Sequence, residues 1–84
     1  MGAASASVAR PPADDLFADE RAVLTAAARI LRARVERLDA ASEDAEAKAH
    51  EADAMFFESR SRECERSAKT IERELAALPL KGGR

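Results

Sequence analysis

Cysteine occurs only once in these 84 residues, at Cys64, so no disulfide can staple the chain to itself. A lone thiol is the usage expected of a reducing, cytoplasmic compartment. Tryptophan and tyrosine are absent, and the aromatics are Phe17, Phe56 and Phe57. Glycine stands only at positions 2, 82 and 83, and proline only at 11, 12 and 79. Between Ala13 and Leu78 nothing breaks a helix. No apolar run approaches the roughly 20 residues of a membrane span, which predicts a soluble chain. Neither sign of charge dominates: the net charge is −2, so long-range attraction to nucleic acid or anionic lipid is not expected.

What remains is alanine, glutamate, arginine and leucine, the composition of long helices and coiled coils. A chain this short buries a limited fraction of its surface and often needs a partner. Three segments are predicted. Residues 1–13, small and proline-ended, read as a disordered N-terminal tail. Residues 14–78 form the coiled-coil or helical-hairpin domain, and 79–84 a flexible basic tail. Helix is expected to begin near Asp14–Asp15, either aspartate serving as cap. It is expected to stop at Leu78, because Pro79 disfavours helical geometry in the residue before it. The N-terminal tail lacks the Ser or Thr at position 6 that myristoylation of Gly2 requires. Its single Arg10 makes it a weak organelle-targeting sequence.

Within the domain the apolar residues recur at alternating spacings of four and three. Leu24, Ala28, Leu31, Val35, Leu38, Ser42, Ala45, Ala49, Ala52 and Phe56 make one seam. Phe57, Ser61, Cys64, Ala68, Ile71, Leu75 and Leu78 make a second, displaced by one residue. Such heptads predict an all-α coiled coil or helical bundle. Phe17, Val23, Ala27 and Ile30 flank the first seam and widen its apolar face. Alanines at 40, 41, 45, 47, 49, 52 and 54 leave the middle of the chain to helix propensity rather than to packing. Ser42, followed by Glu43 and Asp44, also reads as a new helix start.

Two arrangements satisfy the seams: one continuous helix of about 65 residues, about 97 Å long at 1.5 Å per residue, or a helical hairpin with a turn somewhere between Asp39 and Ala52. An antiparallel register is favoured. It sets Leu24 against Leu75, Ala28 against Ile71, Leu31 against Ala68, Val35 against Cys64, Leu38 against Ser61 and Ser42 against Phe57. Large side chains face small ones at most layers. Within one chain this register turns at Lys48–Glu51, where strong helix formers stand and no turn residue occurs. The intermolecular version is therefore preferred slightly, with a hairpin turning at Asp39–Ser42 as the alternative. Arg32 is expected near Glu65.

Candidate chemistry is sparse. Glu43, Glu46, His50 and Asp53 would share one face of a continuous helix, but a single imidazole among solvated acids is a poor metal site. Cys64 falls on a seam, between Glu63 and Glu65, and reads as a small apolar knob rather than a nucleophile. Arg29, Arg32, Arg34 and Arg37 spread around the helix, and Arg60, Arg62 and Arg66 follow. Without stacking aromatics they read as salt-bridging flanks rather than a nucleic-acid surface. Phe56–Phe57 is either buried in a bundle or an exposed anchor for a partner.

No catalytic constellation assembles around one histidine, so the sequence predicts a non-enzymatic chain without cofactor or metal. It is expected to act as an interaction or scaffold subunit, a homodimer or a member of a larger helical assembly. The expected contact residues with self or other partner helices are Leu24, Leu31, Val35, Leu38, Phe56, Phe57, Ile71, Leu75 and Leu78. The alternative is a small helical regulator or inhibitor that docks on an enzyme or nucleic-acid machine through one exposed helix.

Overall fold

The structure, a computed structural model, describes residues 16–79. Helix is the only regular structure among them: α1 spans Ala18–Ala47 and α2 spans Glu51–Ala77. The two run antiparallel as an all-α hairpin joined by Lys48, Ala49 and His50. The expected tails, 1–13 and most of 79–84, lie outside the described residues.

The break at Lys48–His50 falls within the Asp39–Ala52 interval expected for a hairpin, and it corrects both the slight preference for an intermolecular pairing of continuous helices and the alternative turn at Asp39–Ser42. The chain is not one continuous helix, and it does not turn at Asp39–Ser42; it reverses within the register that had seemed to lack a turn residue. Backbone geometry shows how. Ala49 takes φ 61° in the left-handed region. Its N–H donates to the Glu46 carbonyl at 3.0 Å, and the His50 N–H donates to the Ala45 carbonyl at 2.8 Å. These are the two bonds of a Schellman closure, which satisfies carbonyls that a helix end leaves orphaned. Glycine usually occupies the left-handed position. An alanine there costs about 1 kcal/mol, because its Cβ crowds the following carbonyl. Lys48 adds an ion pair to Asp44 at 3.1 Å.

The seams predicted from spacing are the ones that meet, with the turn trimming the first. Ala28, Ser42 and Ala45 of α1 are buried, and Leu24, Leu31, Val35 and Leu38 are partly buried. On α2, Ala54, Ser61 and Ala68 are buried, while Phe57, Cys64, Ile71, Leu75 and Leu78 are partly buried. The first seam therefore stops at Ala45. Ala49, Ala52 and Phe56, expected to continue it, are exposed, because the reversal restarts the helical phase at Glu51. Ala68 is 0% exposed, and among the described residues no large side chain is fully buried. Small residues at the closest approach let the backbones come together, while leucines and isoleucine cover the edges.

Polar contacts lock the register. Ser42 Oγ donates to the Ala54 carbonyl at 3.2 Å, and Ser61 Oγ donates to Asp39 Oδ1 at 2.6 Å. Ser42 is thus a buried residue inside α1, not the start of a new helix. These contacts lie within one helical turn of the expected pairings of Leu38 with Ser61 and Ser42 with Phe57.

The ends differ from each other. Phe17 stands at the N-cap of α1 without a side-chain cap bond, and Asp19 and Glu20 occupy the first turn. The helix is described from Ala18, and the expected caps, Asp14 and Asp15, lie outside the described residues. At the other end Leu78 is extended, with ψ 141°, as the residue before Pro79 must be. Arg21 Nη1 donates to the Pro79 carbonyl at 3.2 Å and ties the two open ends together.

Candidate interaction surfaces

Because the helices pack by one face each, the rest of each cylinder is available to solvent. The two broad sides of the hairpin differ in chemistry. On one side Arg32 makes a two-pronged bond to Glu72, Nε to Oε2 at 3.0 Å and Nη2 to Oε1 at 2.8 Å. This matched fork fixes orientation as well as attraction. The hydrogen bond from Arg32 holds the Glu72 carboxyl below its ordinary value of 4.5, and the same bond raises the Arg32 guanidinium. Glu65, the partner expected for Arg32, contributes a weaker electrostatic attraction. Thr25, Arg29, Ala33 and Glu36 line the open groove beside this pair.

The opposite side carries the apolar residues. Leu24, Leu31 and Leu38 of α1 and Phe57, Cys64, Ile71 and Leu78 of α2 share heptad positions there, each partly exposed. Further round α1, on its back, Leu16, Val23 and Ile30 follow one another at intervals of seven, 73%, 66% and 62% exposed. A residue repeating every seventh position stays on one line along a helix. Alanines 26, 33 and 40 run alongside it, also exposed.

Past the exposed Phe56, the back of α2 is polar. Glu63, Thr70, Arg66 and Arg73 occupy it, and ion pairs along the same helix join Arg62 to Glu58 at 2.8 Å, Arg60 to Glu63 at 3.5 Å and Lys69 to Glu65 at 3.5 Å. Three of the basic residues considered as a nucleic-acid surface, Arg32, Arg60 and Arg62, are therefore engaged with carboxylates.

The third surface is the tip. The turn separates Glu43 and Glu46 on α1 from Asp53 on α2, so the single helix face expected to present them with His50 does not exist. Among the described residues, no cluster of three or more His, Cys, Asp or Glu is placed to hold a metal ion. Beside the turn, Met55 is 69% exposed and Phe56 60%. The Phe56 ring meets the Phe57 ring edge-on, centroids 5.7 Å apart. One ring enters the seam and the other faces solvent, so the pair divides between the two expected roles.

Of the expected contact residues, Leu24, Leu31, Val35, Leu38, Phe57, Ile71, Leu75 and Leu78 lie along the intramolecular seam, and Phe56 lies outside it. The exposed line of Leu16, Val23 and Ile30 was only partly anticipated. Val23 and Ile30 read as a widening of the first seam, whereas the hairpin places them on a separate line. Their seven-residue spacing with Leu16 was the available signal. No helix among the described residues is long and apolar enough to cross a membrane. No family model, curated protein or solved structure matches this chain.

Proposed function

We propose that the chain is a non-enzymatic helical-hairpin interaction module, a scaffold or adaptor subunit that binds helices of a protein partner through α1. The observation that carries this reading is the line of Leu16, Val23 and Ile30, mostly exposed on a hairpin whose internal seam is already filled. Large apolar side chains at heptad spacing on the outside of a helix are costly to leave in water and suit a second helix. Leu24, Leu31, Ile71 and Leu78, partly exposed on the adjoining side, extend the surface such a partner would cover.

The test is site-specific photo-crosslinking in the cell of origin. A photoreactive side chain at Val23 or Ile30 should give discrete protein adducts, and one at Glu43 on the acidic end should not. Equal yields from all three positions would remove the basis for the proposal.

A regulatory reading draws on the tip. Met55 stands exposed beside Glu46, Glu51 and Glu58, and Phe56, next in the chain, is exposed as well. An apolar knob with acids beside it suits a basic, apolar-lined cleft on another protein, the surface a small inhibitor would occupy. Phe56→Ala would abolish such binding while leaving the seam intact. Unchanged binding by that variant would exclude the tip.

A further inference from the structure

We infer that the occupant of the exposed α1 line is α1 of a second copy of this chain, running antiparallel, so that two hairpins join back to back. This rests on the interaction reading above and names its partner. The argument is self-complementarity.

Along the back of α1 the heptad positions read Leu16, Asp19, Val23, Ala26, Ile30, Ala33, Arg37 and Ala40, every one exposed. Place a second copy antiparallel about a two-fold axis near Ala28. Leu16 then faces Ala40 of the copy, Asp19 faces Arg37, Val23 faces Ala33, and Ala26 faces Ile30; the symmetry repeats each pair. Every layer sets a large apolar side chain on a small one, or an acid on a base. On one flank Glu20 meets Arg34 of the copy, twice, and Ala27 meets Ala27. Among the described residues, Asp19, Glu20, Arg34 and Arg37 have no ion-pair partner within the chain. The second copy pairs all four.

The alternatives are worse. Parallel strands would stack Asp19 on Asp19 and Arg37 on Arg37. Sliding the antiparallel register by one heptad in either direction sets Asp19 against Ile30 or against Asp44. The chosen register has one unfavourable contact, Arg29 facing its own copy on the second flank, where both long side chains can reach water. Three large apolar residues per copy bury modest area, so the dimer is weak, with a dissociation constant on the order of micromolar.

The full-length protein tests this directly. Sedimentation should show a monomer–dimer equilibrium, with helix content unchanged on dilution because each hairpin is held by its own seam. Reversing one charge, Asp19→Lys or Arg37→Glu, should weaken association about tenfold, since the like-charge contact occurs twice; combining the two should restore it. In a Cys64→Ser background, mixed Ala26→Cys and Ile30→Cys proteins should form a disulfide between them, whereas Ile30→Cys alone should bridge poorly. A monomer at every attainable concentration, reversals without effect, or efficient Ile30→Cys self-bridging would overturn the inference. Photo-adducts from Val23 to a different protein would overturn it while leaving the interaction reading standing; a monomer without adducts would remove both.

Discussion

α1 and α2 are of similar length and share one seam, yet they divide the work of the surface differently. Beyond its first two turns, where Met55 and Phe56 stand exposed, α2 is amphipathic in the ordinary sense, apolar inward and charged outward, with three ion pairs along its length. α1 is apolar on two lines: Leu24, Leu31, Val35 and Leu38 toward α2, and Leu16, Val23 and Ile30 away from it. A helix with one apolar line needs one neighbour, and a helix with two has a surface left over once the hairpin has closed. The same contrast runs through the acidic middle of the chain. Glu51 and Asp53 sit in the first turn of α2, where negative charge is favourable. Glu43, Asp44 and Glu46 fall in the last turns of α1, where it is not, and only Lys48 compensates.

The sharpest way to break this asymmetry is to put the same residue on the two lines. Ala68→Glu buries a carboxylate at the closest approach of the helices and should cost about 3 kcal/mol or more, enough to unfold a chain this small. Ala33→Glu, on the back of α1, should leave the thermal midpoint of the monomer nearly unchanged. Circular dichroism melts of the two variants measure the difference; equal destabilisation would mean the seam is wrongly placed.

Truncation of the seam is the next largest effect. Leu31→Ala should cost about 2 kcal/mol, the low end for a core leucine because this one is partly exposed. Ile30→Ala, one residue away on the outer line, should cost under about 0.5 kcal/mol in the monomer. Denaturant midpoints separate them, and a large loss for Ile30→Ala would show that its line is already covered within the hairpin.

The turn offers a gain. Ala49→Gly relieves the left-handed alanine and should raise stability by about 1 kcal/mol. A lower melting temperature for this variant would mean that the reversal is not closed by a left-handed residue at 49.

The smallest effect concerns pH. Glu72 titrates below 4.5 in the folded chain because Arg32 stabilises its carboxylate. Its contribution to stability is therefore complete above the unfolded-state value and is lost as pH falls through the lower folded one. Glu72→Gln should lower stability slightly at neutral pH and flatten the acid limb, the difference from wild type vanishing as pH falls through the folded value below 4.5; the effect is small, as expected for a pair exposed to water. A wild-type acid limb identical to that of the variant would show the pair is not formed.

Much of the hairpin was legible in the residues. The spacing of Leu24, Leu31, Val35 and Leu38, and of Phe57, Cys64, Ile71 and Leu75, identified the inward faces, because side-chain direction on a helix follows position number alone. The stop at Leu78 followed from Pro79. The register located an intramolecular reversal at Lys48–Glu51, but that the chain would take it was not legible. Lys48, Ala49 and His50 carry no glycine, proline or asparagine, and alanine at a left-handed position leaves no mark in a sequence. For the same reason Phe56 and Phe57 could not be assigned: which ring turns inward depends on where the helical phase restarts.

By itself, then, the sequence determined that the chain is helical and which lines along each helix are apolar, since propensity and periodicity are properties of neighbouring residues. Only the tertiary structure decided that one chain closes on itself at Ala49, and hence that Val23 and Ile30 are left outside. The local backbone disfavours that turn by about 1 kcal/mol. It forms because residues far apart in number, Ala28, Ser42 and Ala45 on one helix and Ala54, Ser61 and Ala68 on the other, are buried together with the flanking leucines when the two helices meet, which recovers more than that.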